Sequence, residues 1–96
     1  MKRHWKLHVT GNVQGIFYRK SAKVKAEELH LSGWVRNEPD GSVYIEVEGD
    51  EIQLKQFIAW CKQGPPYARV QEVTMVEGVV RDFAKFEIRR HNHFPT

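Results

Sequence analysis

The chain has 96 residues, 15 Lys and Arg against 12 Asp and Glu, a net charge of +3, a 41% hydrophobic content and a single cysteine, Cys61. That length fits one compact domain of the usual span of about 50 to 250 residues and excludes a second catalytic domain. One cysteine excludes an intrachain disulfide and a cysteine-rich zinc site, and the mild positive charge suits small anions without demanding nucleic acid.

In chain order, Trp5, Leu7 and Val9 alternate with Lys6, His8 and Thr10, the period of a half-buried strand. Gly11 and Gly15 bracket a short loop, and Tyr18, Ala22, Ala26 and Leu29 then recur at helical spacing, so a first helix begins near Arg19. Residues 31–36 and 43–48 read as a hairpin about the turn Asn37-Glu38-Pro39-Asp40-Gly41, with Val43, Ile45 and Val47 facing the core and Tyr44, Glu46 and Glu48 facing water. Leu54, Phe57, Ile58 and Cys61 form the stripe of a second helix, with Asp50 as its cap, Gln53 at the capping-box position and Gly64-Pro65-Pro66 as its stop. Residues 70–76 and 86–89 supply two more strands, and 91–96 read as a flexible tail after a domain of residues 1–90. The order predicts an α+β, ferredoxin-like split βαβ (βαββαβ) plan: an antiparallel sheet with two helices on one face and a short extra C-terminal strand.

A strand that feeds a glycine-bounded loop into a helix N-terminus gathers unpaired N–H groups and the positive end of the helix dipole, which together suit a phosphate. Arg19 adds a planar fork able to grip two phosphate oxygens. Val13 and Ile16 are placed to anchor the loop in the core. The same residues also fit an ordinary strand-to-helix turn with a surface arginine, and Asn37 fits either a turn-former or a second part of an anion site.

The segment Gly11-Asn12-Val13-Gln14-Gly15-Ile16-Phe17-Tyr18-Arg19 resembles the first signature of the acylphosphatases. Gly33-Trp34-Val35-Arg36-Asn37 with Gly41-Ser42-Val43 and Gly49 resembles the second. Gly64-Pro65-Pro66-Tyr67-Ala68-Arg69-Val70 and Phe86-Glu87-Ile88-Arg89 extend the likeness across residues 5–89. The resemblance implies a ferredoxin-like fold and hydrolysis of carboxyl phosphates to carboxylate and phosphate, with no metal, cofactor or covalent intermediate. It implies that Arg19 and the loop N–H groups, from Gln14, Gly15, Ile16, Phe17 and Tyr18, bind the phosphoryl oxygens, and that Asn37 positions the attacking water. Ile16 stands where the family more often has valine. The chemistry agrees, because an acyl phosphate expels a carboxylate whose conjugate acid has a pKa of about 4 and needs no general acid at neutral pH.

Other features compete for a role. His91 and His93 could suggest a metal site but lack a third ligand, while His4, His8 and His30 read as surface or partly buried residues and Cys61 as core. Lys20, Lys23 and Lys25 read as a solvated helix face that could also draw an anion toward the loop. RNA-recognition modules share this order of elements, yet an open face carrying Glu46, Glu48 and Glu72 would repel phosphate, so no nucleic-acid partner is expected. An acylphosphatase-like accessory domain without turnover is the third reading. With no apolar segment of membrane-spanning length and no signal-peptide core, the expectation is a cytoplasmic monomer whose partner is a small acyl phosphate and not a membrane.

Overall fold

The computed structural model describes residues 1–90, so the expected tail and its His91 and His93 lie outside the described residues. The elements are β1 (Lys2–Asn12), α1 (Tyr18–Glu28), β2 (Ser32–Asn37), β3 (Val43–Asp50), α2 (Glu51–Gln63), β4 (Arg69–Gly78) and β5 (Phe86–Arg89). The sheet order is β4-β1-β3-β2-β5, with α1 over β2 and β5 and α2 over β4, β3 and β1. Between sheet and helices lies a continuous core of alternate strand residues and helix stripes: Leu7 and Val9, Val35, Val43, Ile45 and Val47, then Tyr18, Ala22 and Ala26 from α1 and Leu54, Phe57 and Cys61 from α2. This is the expected split βαβ plan with its extra strand.

The first helix closes through backbone bonds. Leu31 N–H donates to the Ala26 carbonyl at 2.8 Å and His30 N–H to Glu27 at 3.1 Å, with His30 at φ 59°, a Schellman ending in which His takes the place usually given to glycine. At α2, Asp50 occupies the cap position, but its side chain makes no cap bond and Gln53 Oε1 is buried without a partner, so the expected capping box does not form. Asp50 instead lies 3.5 Å from the N-terminal ammonium.

The first four strands pair antiparallel, but β5 lies parallel to β2. Residues 79–85 cross from one edge of the sheet to the other, four strand spacings or roughly 19 Å. An extended segment of that length covers the distance without also descending the sheet. It therefore leaves the end where Gly78 faces His4 and delivers Phe86 beside Gly33 at the same end, so β5 can only run back along β2.

The crossing also corrects the reading of Glu48 as water-facing, since Glu48 is 1% exposed. The backbone N–H groups of Arg81 and Phe83 both donate to its carboxylate, and His4 Nδ1 lies 2.6 Å away. His4, also 1% exposed and so not a surface residue, has its Nε2 2.9 Å from Glu46 Oε1, and Phe83 packs on its ring at 5.7 Å. Burial alone would raise the Glu48 carboxyl. The N–H bond from Arg81, with those of His4 and Phe83, outweighs it and holds the group below its ordinary range. Trp34, on the same face, is buried under the guanidinium groups of Arg36 at 5.1 Å and Arg89 at 4.7 Å.

Candidate active site

Strand β1 breaks register against β4 between Thr10 and Gly11. A Cβ at Gly11 would sit 2.2 Å from the Arg69 carbonyl oxygen, so only glycine lets the two backbones approach this closely. The chain then turns through Gly15 at φ 76° and Phe17 at φ 62°, both left-handed, and enters α1. Val13 is fully buried and Ile16 packs against the core, so the loop is anchored as expected.

The start of α1 is unprotected. No side chain caps it, no acid stands in its first turn, and its first bond runs from Ser21 N–H to the Phe17 carbonyl at 2.9 Å. The N–H groups of Tyr18, Arg19 and Lys20 therefore precede the helical ladder, at the positive end of the helix. They border a cavity of about 270 Å³ lined by Val13, Gly15, Phe17, Tyr18, Arg19, Lys20, Asn37 and Ile88.

Across the cavity, the turn carrying Asn37 is tied down at several points. Glu38 N–H donates to the Ser42 carbonyl at 2.8 Å, Gly41 N–H to Glu38 at 3.1 Å, and Ser42 N–H to Asp40 Oδ1 at 2.9 Å. The Ser42 hydroxyl also bonds Asp40, and chiefly that bond holds the Asp40 carboxyl below its ordinary value. His8 Nε2 lies 2.7 Å from Ser42 Oγ, and Arg36 Nε bonds Glu38 at 2.6 Å. Gln14 joins the two halves, because its Nε2 donates to the carbonyls of Glu38 and Ser42, each at 2.8 Å.

Against this network two groups stand out. Among the described residues Arg19 makes no side-chain hydrogen bond or ion pair, whereas Arg3, Arg36 and Arg89 pair with carboxylates; Arg69 and Arg81 are also unpaired, but neither lines the cavity. Asn37 Oδ1 is buried with no hydrogen-bond partner. A buried amide oxygen left unpaired costs about 1 to 3 kcal/mol, and such costs are tolerated where a ligand or water completes the bond.

The structure thus brings Arg19, Asn37, Gly15, Phe17 and Tyr18 to one cavity. The Tyr18 hydroxyl is spent on the Cys61 carbonyl at 2.8 Å, and burial pushes it far above its ordinary range, so what Tyr18 can offer a ligand is its N–H. Burial likewise pushes the Cys61 thiol up to about 12, in keeping with a core role. Gln14 and Ile16 do not line this cavity: Gln14 ties the loop to the turn, and Ile16 packs against the core. Sequence reasoning missed Ile88, which reaches the cavity only because β5 runs parallel to β2, and it underweighted Lys20. Among the described residues no group of three or more His, Cys, Asp or Glu is placed to hold a metal ion.

A glycine-shaped loop at an uncapped helix start, with an unpaired arginine on the same cavity, gives this α+β fold an arrangement suited to a small oxyanion. The acylphosphatase family model matches residues 5–88, and the chain belongs to that family. It is 53% identical to an acylphosphatase of Marinobacter nauticus over 73 residues, 76% of this chain and 79% of that protein. It is 48% identical to one of Methylococcus capsulatus over 83 residues, 85% of this chain and 90% of the relative. Among solved structures, an acylphosphatase from Coxiella burnetii superposes with a TM-score of 0.89 at 39% identity, covering 92% of this chain and 93% of that one. The chain is a hydrolase that cleaves the carboxyl–phosphate bond of small acyl phosphates. No helix of the described residues is long and apolar enough to cross a membrane.

Proposed function

We propose that Arg19 and the N–H groups at the start of α1 hold the phosphoryl group, and that Asn37 Oδ1 accepts a hydrogen bond from the attacking water and aims it at phosphorus. The observation that carries this reading is the buried, unpaired Asn37 Oδ1 on the same cavity as the unpaired Arg19.

The water oxygen bonds to phosphorus while the bond from phosphorus to the carboxyl oxygen breaks, and its electron pair leaves with the carboxylate. A dianionic acyl phosphate and water give a carboxylate and a monoanionic phosphate that keeps both protons of the water. No proton has to be delivered to the leaving group, because a carboxylate is stable at neutral pH. Charge spreads over the equatorial oxygens of a loose transition state, so fixed N–H dipoles and a guanidinium fork supply what the reaction requires.

On this reading the enzyme works as a monomer and without a metal. The test is turnover of benzoyl phosphate and of phenyl phosphate, each with and without a chelator. Benzoyl phosphate is hydrolysed equally in both conditions, and phenyl phosphate, whose leaving group needs a proton, is turned over at least about 10²-fold more slowly. Loss of benzoyl phosphate activity with the chelator would overturn the metal-free mechanism.

A further inference from the structure

A second cavity, of about 420 Å³, adjoins the first and is lined by Gly15, Ile16, Phe17, Ser21, Pro65, Pro66 and Tyr67. Gly15 and Phe17 border both cavities, so the two share a wall at the phosphate loop. Its lining is almost wholly apolar, with no charged side chain.

Two large aromatic residues of this groove are held in conformations their backbones disfavour. Phe17 is 78% exposed at φ 62°, and Tyr67 is 89% exposed at φ 74°. Bulky side chains seldom adopt positive φ, and where they do the surroundings impose it. Ala68 N–H donates to the Pro65 carbonyl at 3.1 Å, which closes a turn with Pro66 second and Tyr67 third. Proline second and a positive φ third describe a type II turn, whose third place ordinarily belongs to glycine or asparagine. Tyrosine is the wrong residue for the turn's own stability. Among the described residues its hydroxyl makes no hydrogen bond, and its ring is not buried in the core.

The topology says what the groove faces. In the order β4-β1-β3-β2-β5, Asn37 at the end of β2 and the turn entering β4 lie on opposite sides of β1, from which the phosphate loop springs. Displacement at phosphorus sets the attacking and leaving oxygens roughly in line. With water on the Asn37 side, the carboxyl group departs on the β4 side, toward Phe17, Pro65, Pro66 and Tyr67.

From this we infer that the groove is the acyl subsite of the enzyme and that it selects acyl phosphates with an aromatic or bulky apolar acyl group, Phe17 and Tyr67 covering that group. The inference rests on the assignment of phosphate to the Arg19 loop and of water to Asn37.

The test is the ratio of kcat/KM for benzoyl phosphate to that for acetyl phosphate, measured in the parent, Tyr67→Gly and Tyr67→Phe. Glycine suits the turn, so Tyr67→Gly folds with a Tm no lower than the parent. It lowers the ratio roughly tenfold, mostly through KM for benzoyl phosphate, while Tyr67→Phe keeps it. A ratio unchanged within about twofold in Tyr67→Gly overturns the subsite, and a ratio lost in Tyr67→Phe overturns its apolar character. Arg19→Ala separates the two levels: if it turns over both substrates normally, the phosphate assignment fails, and the Tyr67 ratio still reads the groove by itself.

Discussion

Arg3 and Arg19 sit toward opposite ends of the sheet and are treated in opposite ways. Arg3 Nε bonds Glu77 at 2.7 Å and its Nη1 bonds Glu51 at 3.0 Å, and beside it His4 and Glu48 are closed under residues 79–85. That end pairs its charged groups, although Trp5 Nε1 and Gln53 Oε1 are buried there without partners. At the other end Arg19 has no partner among the described residues, α1 begins without a cap, and Asn37 Oδ1 is buried and unpaired. The comparison teaches that a buried unpaired atom is by itself no guide to function, since both ends have one; what sets the open end apart is an unpaired amide and an unpaired guanidinium on the same cavity, which on the proposed mechanism a substrate and its water complete.

Breaking the open end has the largest effect. Arg19→Ala lowers kcat/KM for benzoyl phosphate by about 10³ or more, and Arg19→Lys recovers part of it, since an ammonium supplies charge without the planar fork. Steady-state kinetics checks both.

Breaking the closed end costs stability rather than chemistry. Glu48→Gln leaves His4 and two backbone N–H groups without their carboxylate and lowers unfolding stability by about 3 kcal/mol at neutral pH, read by urea denaturation. The sign with pH follows from the direction of the shift. Because the Glu48 carboxyl titrates below its ordinary value near 4.5 in the fold, its contribution is complete above that value and is lost as pH falls through the lower, folded one. The parent therefore loses stability below about pH 4.5, and Glu48→Gln flattens that slope.

The tie between loop and turn sharpens the comparison. Gln14→Ala removes two bonds that hold the halves of the site together and lowers stability by roughly 1 to 2 kcal/mol. It lowers kcat more than it raises KM, because the turn that aims the water is freed. Arg3→Gln marks the smallest effect: its partners are exposed, and kcat/KM stays within about twofold of the parent.

Much of this was legible in the chain. Alternation from Trp5 to Val9, the stripe Leu54-Phe57-Cys61 and the stop at Gly64-Pro65-Pro66 depend on near neighbours, and each element formed where its period placed it. The loop from Gly11 to Arg19 was legible through its motif: Gly15 answers to a local left-handed turn, whereas Gly11 is required by the distant backbone of Arg69, which no local pattern reports. Glu48 was misread because parity along β3 gives the face of a residue but not what later covers it. Ile88 was missed because its place depends on β5 arriving parallel to β2 after a crossing of the whole sheet. Gln14 was expected to bind substrate, and its bonds to Glu38 and Ser42 join residues far apart in the chain. No periodicity reports such contacts.

The most direct test of the two-part site is inhibition by inorganic phosphate, measured together with kcat in Asn37→Ala and Arg19→Ala. Asn37→Ala loses roughly 10² in kcat while its phosphate inhibition constant stays within about threefold of the parent, and Arg19→Ala loses phosphate inhibition altogether. An Asn37→Ala enzyme that keeps its kcat, or that loses phosphate as fully as Arg19→Ala does, would contradict the division of labour between the loop and the turn.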